Sequence, residues 1–378
     1  MPAGENGNIS VRQFTILVFL YSVGTTILVI PSSLAEVAKQ DAWIAAVLGV
    51  GLALLLVRLY SAVGNLFPGL TLIETNEQLL GKWCGKAVSL LLVFFALITA
   101  SELLYFMGTF MTTQIMPETP IQAINILFAL VVIMGVRLGL EVLARSAEIL
   151  FPCFVALFLG LILYIAPQIE IHNIQPVFET GIKPLIFATL LFISVFSLPA
   201  VLFLMVFPVS INEPQKAQKA FYIGTLLAGI VLILVIASSI LVLGADTTSR
   251  QMYPSYVLAK KINIGNFLQH IEVIVAVMWF ITIYLKMAIY FYVSVKGLAL
   301  ILHLKEYRPL VMPMGLILVA FSLIIHPNIV HSNIYNKETW LPFVSTFGFA
   351  LPLLLLAAAS FQKKQKVKSS DQCSQGSE

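Results

Sequence analysis

The chain has 378 residues, a formal net charge of +4, 59% hydrophobic residues and only 11% charged ones. Soluble domains carry about 25% charged residues, so this composition excludes a water-soluble fold, and the small positive excess reads as anchoring charge and excludes a nucleic-acid surface. Cys84, Cys153 and Cys373 show no metal-ligand or redox spacing, so no disulfide framework and no cofactor is expected.

The start is polar through Ser10, and the first apolar run has no A-x-A-like site. A short cytoplasmic segment, 1–11, without a cleaved leader is therefore predicted. Apolar runs long enough to cross a hydrocarbon layer of about 30 Å follow at 12–35, 42–66, 86–116, 121–141 and 145–166. Five more lie at 184–208, 218–244, 270–301, 309–326 and 340–361. None shows the period-two alternation of a membrane barrel, and helices satisfy their own backbone hydrogen bonds in lipid. The expected class is thus all-α integral membrane, with about ten transmembrane helices. The third and eighth runs exceed the bilayer thickness, so they tilt or project beyond it.

Two connections, 67–85 and 246–269, have room for short helices at the membrane surface. In the second, Val257, Leu258 and Ile262 form an apolar stripe after Pro254. The polar end, 362–378, has no apolar periodicity and predicts a disordered tail. Ten spans put both termini on one side. With the termini inside, inner segments hold fifteen Lys and Arg against six outside, which makes the termini cytoplasmic.

Helix-unfriendly residues fall at matched depths. The first span reads FLYSVGTTILVIPSS, with Gly24 about midway, and the sixth reads LLFISVFSLPAVLF, with Ser194, Ser197 and Pro199 about midway. Pro199 lacks a backbone donor and crowds the carbonyl four residues back. Glycine and proline often do no more than bend membrane helices. Paired interruptions at corresponding depth, however, point to a five-plus-five inverted repeat, 12–166 and 184–361, with a central site. Broken ends expose amides to an anionic group and carbonyls to a cation, a combination suited to a zwitterionic amino acid.

Two charges lie deep in spans, where charge is costly. Glu102 stands on span three beside Ser101 and Tyr105, and Lys286 on span eight shares a face with Thr282 and Tyr290. Two readings stay open: the two charges neutralise each other, or they couple ion or proton movement to the solute. A third charged set, Arg137, Glu141, Arg145 and Glu148, surrounds the inner turn between spans four and five at three- and four-residue spacings. It reads as an inner-face ion-pair network. His326, before Pro327 at an outer end, reads as an interfacial residue. No G-x-S-x-G, Walker A, H-E-x-x-H or Rossmann fingerprint occurs, so an enzyme is not expected.

Several stretches together resemble a known family. They are ISVRQFTILVFLYSVGTTILVIPS, FPGLTLIETNEQLLGKWCGK, PETPIQAI and RLGLEVLARSAEILFP, with the short outer Pro327–Asn328 pair. In order, spacing and total length the chain is similar, over about 8–362, to spore germination permeases. These are the B-type subunits of GerA-type germinant receptors, within the amino acid–polyamine–organocation superfamily. The resemblance implies a LeuT-like fold with spans one and six broken, in the spore inner membrane. It also implies a small germinant such as an amino acid, and A-type and C-type receptor subunits as partners. Carried onto this sequence, the pocket would use the backbone of Gly24, Thr25, Thr26 and Ile27. Side chains would come from span three (Ser101, Tyr105), span six (Ser194, Phe196, Ser197, Leu198) and span eight (Thr282, Tyr290). A proton-coupled amino acid transporter fits the same frame.

Overall fold

The computed structural model describes residues 8–261 and 272–375. Ser10 starts the first helix with a capping box: its hydroxyl accepts from the Gln13 N–H, and the Gln13 side chain accepts from the Ser10 N–H. Helix α1, Val11–Val23, ends at Gly24, whose φ of +24° lies outside the helical region. Helix α2, Thr26–Ala38, resumes after the break. The first span is therefore two half-helices. A parallel bridge between Ile9 and Ile211 fastens the chain just before α1 to the segment after the sixth span.

Helix α3, Ala42–Gly64, is the second span. The connection 67–85 contains a short helix, α4 (Leu72–Leu80), started by a Thr71–Glu74 capping box. Helices α5 (Lys82–Phe110), α6 (Ile121–Leu138) and α7 (Leu140–Ile165) complete the first half. Cys84, within the connection read as 67–85, sits in the first turn of α5. Gly139, with a φ of +106°, makes the whole turn between α6 and α7. The fifth span consequently begins at 140 and not near 145.

Helix α8, Ile182–Phe196, stops at Ser197, and the sixth span continues as a tighter 3-10 coil, Leu198–Met205. Helix α9 (Pro214–Leu243) is the seventh span. Two short helices follow, α10 (Ala245–Arg250) and α11 (Pro254–Lys260). The expected apolar stripe lies on α11, where Leu258 is buried; Ile262 falls outside the described residues. Helix α12 (Glu272–Ile301) is the eighth span and α13 (Arg308–Ile324) the ninth.

The tenth span begins earlier than expected. It runs from α14 (Ile329–Ile334) through a π-helical turn at Tyr335–Thr339 and α15 (Trp340–Ser345). A second π turn, Thr346–Ala350, leads into α16, Leu351–Gln375. The stretch read as a disordered tail is thus helical to Gln375. Between Pro352 and Gly376 the sequence has neither proline nor glycine, so nothing in the backbone interrupts the helix.

Among the described residues, eight helical runs are long and apolar enough to cross a membrane, and two shorter apolar helices, Val11–Val23 and Arg308–Ile324, accompany them. Large apolar side chains such as Leu127, Ile149, Leu163 and Leu316 point outward. That is the expected surface of a chain whose solvent is hydrocarbon. Small residues bring helices close: a Cβ at Gly224 of α9 would lie 2.7 Å from the Thr15 carbonyl of α1. This close contact holds α1 against α9, while α2, beyond the break, packs against α8 and α10.

Candidate functional site

The two breaks and span eight meet. At the end of α1 the Tyr21 hydroxyl donates to the Pro199 carbonyl, just past the second break, at 2.9 Å. From α12, the Thr282 hydroxyl lies 3.3 Å from the Gly24 carbonyl, which belongs to the first break. One helical turn on, the Lys286 ammonium donates to the Val195 carbonyl at 3.0 Å, immediately before the second break. That ammonium also sits 5.4 Å from the centre of the Tyr21 ring, a cation–π arrangement. Breaking two helices frees carbonyls that water cannot reach in a membrane, and tyrosine, threonine and lysine side chains supply the donors. A side chain at Gly24 would overlap Lys286 Cδ, so the lysine occupies the space that the missing Cβ leaves.

Beside this junction is a cavity of about 80 Å³, room for several waters or a small solute. Its wall includes Thr25 from the first break, Glu102 from α5, Ser194 from α8, and Lys286 and Tyr290 from α12. Glu102 and Lys286 are both buried. They form no ion pair: Lys286 is engaged with Val195 O, and Glu102 Oε1 has no hydrogen-bond partner. Of the two open readings, neutralisation by a direct ion pair between Glu102 and Lys286 is not seen. Tyr335, from the first π turn of span ten, is the side chain that approaches Glu102. Thr99 Oγ1 and Trp340 Nε1, also in the cavity wall, are buried without partners. With the Tyr290 hydroxyl, which is likewise unpartnered in the same wall, four polar groups around one hollow are left for a bound molecule to satisfy.

The remaining expected residues are placed as follows. Thr26 is buried, with its hydroxyl turned back to the Ser22 carbonyl at 3.0 Å. The carbonyl of Ile27 accepts from Ser255 of α11. Ser101 donates to Leu97 within its own helix at 3.0 Å. Ser194 and Ser197 likewise donate to carbonyls three and four residues back. Phe196 is buried against Phe192. Of the twelve expected ligand-binding residues only Thr25, Ser194 and Tyr290 stand in the cavity wall; Gly24, Thr26, Ile27, Ser101, Tyr105, Phe196, Ser197, Leu198 and Thr282 do not. Leu198 lines a separate apolar groove between α3, α8 and span ten. Tyr105 packs edge-on against His326 at 5.0 Å. A helix face is about 100° wide, so neighbours in sequence need not share a cavity.

The four inner-turn charges do not close into one network among the described residues. Arg145 pairs with Glu141 within α7. Glu148 turns to α1, with Arg12 at 3.4 Å and the Gln13 amide at 3.1 Å. Arg137 is exposed at the end of α6. The three- and four-residue spacing identified a charged helix face, but α1 determined which charge has a tertiary partner.

The sequence reading missed the contribution of span ten, Asn336 and Trp340, and that of Thr99, Ser33 and Phe106. One signal was available: the polar run Asn336, Lys337, Glu338, Thr339 directly precedes Trp340. It reads as a loop unless the helix is allowed to begin before it.

Comparison with known proteins agrees with this architecture. Among solved structures, the chain is similar to a closed conformation of Mhp1, a nucleobase-cation-symport-1 family transporter with bromovinylhydantoin bound. The TM-score is 0.63 at 11% identity, covering 90% of this chain and 78% of that one. A manganese transporter of Eremococcus coleocola gives a TM-score of 0.50 at 15% identity, over 93% of this chain and 76% of that one. At such identities the likeness is one of fold: a LeuT-like arrangement with spans one and six broken. By sequence, the chain is 31% identical over 375 residues to spore germination protein KB of Bacillus subtilis (strain 168), covering 97% of this chain and 98% of that protein. It is 25% identical over 362 residues to spore germination protein YndE of the same organism, at 94% and 97% coverage. Residues 8–330 match the family described as spore germination protein, and this multi-pass membrane chain belongs to that family.

Proposed function

We propose that this chain is the membrane subunit of a nutrient germinant receptor. It binds a small germinant such as an amino acid in the cavity beside the two breaks, and it triggers spore germination together with A-type and C-type partner subunits. One observation carries the reading. In a chain of the spore germination family, both helix breaks, an engaged ammonium and an unpartnered carboxylate oxygen converge on one hollow. The opposite charges are separate, so a zwitterion can meet both. Binding shifts a conformational equilibrium only through differential affinity for two states, and the half-helices are the elements with freedom to adopt two.

In this reading the solute touches the backbone at Gly24–Ile27 and the side chains of Thr25, Ser194 and Tyr290, with Thr99, Asn336 and Trp340 added to them. Glu102 and Lys286 are its charged partners. The halves 12–166 and 184–361 act as inverted repeats. The chain lies in the spore inner membrane with both termini cytoplasmic, which the excess of inner Lys and Arg supports.

A second reading, a proton-coupled amino acid transporter, is favoured by Lys286 itself. It is an ammonium bound to a carbonyl at a helix break, where a coupling cation would sit. Paired germination and uptake assays in a deletion strain separate the two. Lost nutrient response with unchanged amino acid uptake supports the receptor; lost uptake with normal germination overturns it.

A further inference from the structure

At the end of the bundle that the lysine and arginine distribution places inside, cations occur in two settings. Arg12, Arg145 and Lys216 each face a carboxylate. Around the turn between α4 and α5 the setting differs. Lys82, Lys305 and Lys363 are exposed and Lys86 is half-buried. Among the described residues none of the four is in an ion pair.

Contacts between distant segments bring these cations to one corner. From α5, Lys86 reaches the end of α12, with Nζ 2.9 Å from His303 Nε2 and 3.4 Å from the Ile301 carbonyl. Lys82 stands one turn earlier on the same helix face, and Lys305 follows His303 by two residues. The Gln362 amide of α16 donates to the Leu79 carbonyl at the end of α4, at 3.1 Å, which brings the neighbouring Lys363 to the same turn. An ammonium has three donors. The two contacts of Lys86 leave its charge unbalanced, because neither acceptor is an anion. Of the acids close in sequence, Glu74 is taken up by the Thr71 capping box, and Glu77 and Glu306 pair with none of the four lysines among the described residues.

Beside the lysines an apolar strip begins. Trp83 is 86% exposed, and an indole at this depth belongs at the headgroup level. Ala87, Leu90, Leu91 and Phe94 follow it at helical spacing and are all exposed, so they continue one face of α5. At 1.5 Å per residue the strip runs about 16 Å into the hydrocarbon layer. A free anion would use the lysines and leave the strip, while an apolar molecule would use the strip and leave the lysines. An amphiphile with a negative head uses both.

We propose that this corner is a binding site for an anionic phospholipid. The headgroup phosphate lies among Lys82, Lys86 and Lys305, and an acyl chain follows the strip from Trp83 to Phe94. The site joins the inner end of α5, which carries Glu102, to the inner end of α12, which carries Lys286. A phosphate shared between Lys82 or Lys86 and Lys305 therefore fastens together the two helices that place both deep charges. The proposal requires no germinant and no partner subunit, so its failure is distinguishable from failure of the receptor reading.

The test uses the purified full chain in a neutral detergent, titrated with dioleoylphosphatidylglycerol or dioleoylphosphatidylcholine, with retained lipid counted by native mass spectrometry. The unaltered chain is expected to retain the anionic lipid preferentially. Lys82→Gln with Lys86→Gln should lower that preference about twentyfold, or about fivefold per lysine. Arginine at both positions should keep it. Removal of two inner-face charges elsewhere, Lys216→Gln with Lys219→Gln, should leave it unchanged. A phosphatidylglycerol brominated along its acyl chains should quench Trp83, read as the difference between the chain and Trp83→Phe. Four results overturn the proposal: equal retention of the two lipids by the unaltered chain, equal losses from the two double glutamine variants, displacement of the lipid by inorganic phosphate at the same concentration, or no quenching of Trp83. Loss of the preference in the arginine variant would likewise count against it.

Discussion

At the scale of single residues, Lys286 and Gly24 behave as one unit. The lysine stem fills the place of a Cβ at residue 24, and its ammonium satisfies the Val195 carbonyl. Gly24→Ala therefore meets both an overlap and an unfavourable φ of +24°. Its expected destabilisation is about 1–3 kcal/mol, read as earlier thermal unfolding of the solubilised protein, with loss of ligand response. Lys286→Met keeps most of the stem and removes the charge. The expected outcome is an assembled protein that no longer responds to germinant; unchanged folding, assembly and response together would remove Lys286 from the mechanism. His326 lies between α13 and α14, outside the spans, with Tyr105, Phe106, His331 and Tyr335 around its ring. Burial, then the facing His331, pushes its ring down to about 4. Between that value and the ordinary 6.5, the unfolded chain holds a proton that the folded chain does not. Its contribution to stability is therefore full above about pH 6.5 and is lost as pH falls toward 4. Unfolding temperature measured across that range should fall with pH, and His326→Gln should flatten the slope.

At the scale of elements, the second break is held open by a residue distant in sequence. The Tyr60 hydroxyl of α3 lies 3.3, 3.1 and 2.8 Å from the carbonyls of Ser197, Leu198 and Gly348. One proton is shared among three acceptors, two from the broken sixth span and one from the second π turn of the tenth. A side chain at Gly348 would strike the Leu198 carbonyl, so the two irregular segments touch backbone to backbone. Tyr60→Phe preserves the ring and removes the donor. A cost of about 1–3 kcal/mol is expected, measured by thermal unfolding, with no change in membrane insertion. Tyr60 carries no sequence mark: within GLALLLVRLYSAV it resembles an ordinary aromatic of an apolar helix. The breaks themselves were legible, because glycine and proline act through the local backbone. The donor that satisfies them was not, because its identity depends on which helix packs alongside.

At the scale of the whole molecule, the five-plus-five order places α2 and span ten over one end of the cavity, and α12 between the two breaks. If solute binding moves the half-helices, mutations at Lys286 and Trp340 should alter germinant response without altering protein abundance in the membrane, as quantified by immunoblot beside the germination assay. The sequence by itself determined the membrane class, the spans, the two breaks and the presence of two deep charges. Each of these follows from local composition: apolar length, backbone-incompatible residues and the high cost of charge in hydrocarbon. Only the tertiary structure decided that Glu102 and Lys286 do not pair, that Glu148 turns to α1, and that Asn336 and Trp340 of span ten wall the cavity. Those outcomes depend on which faces of distant helices meet, and a one-dimensional pattern specifies the face of a helix but not the partner it will find.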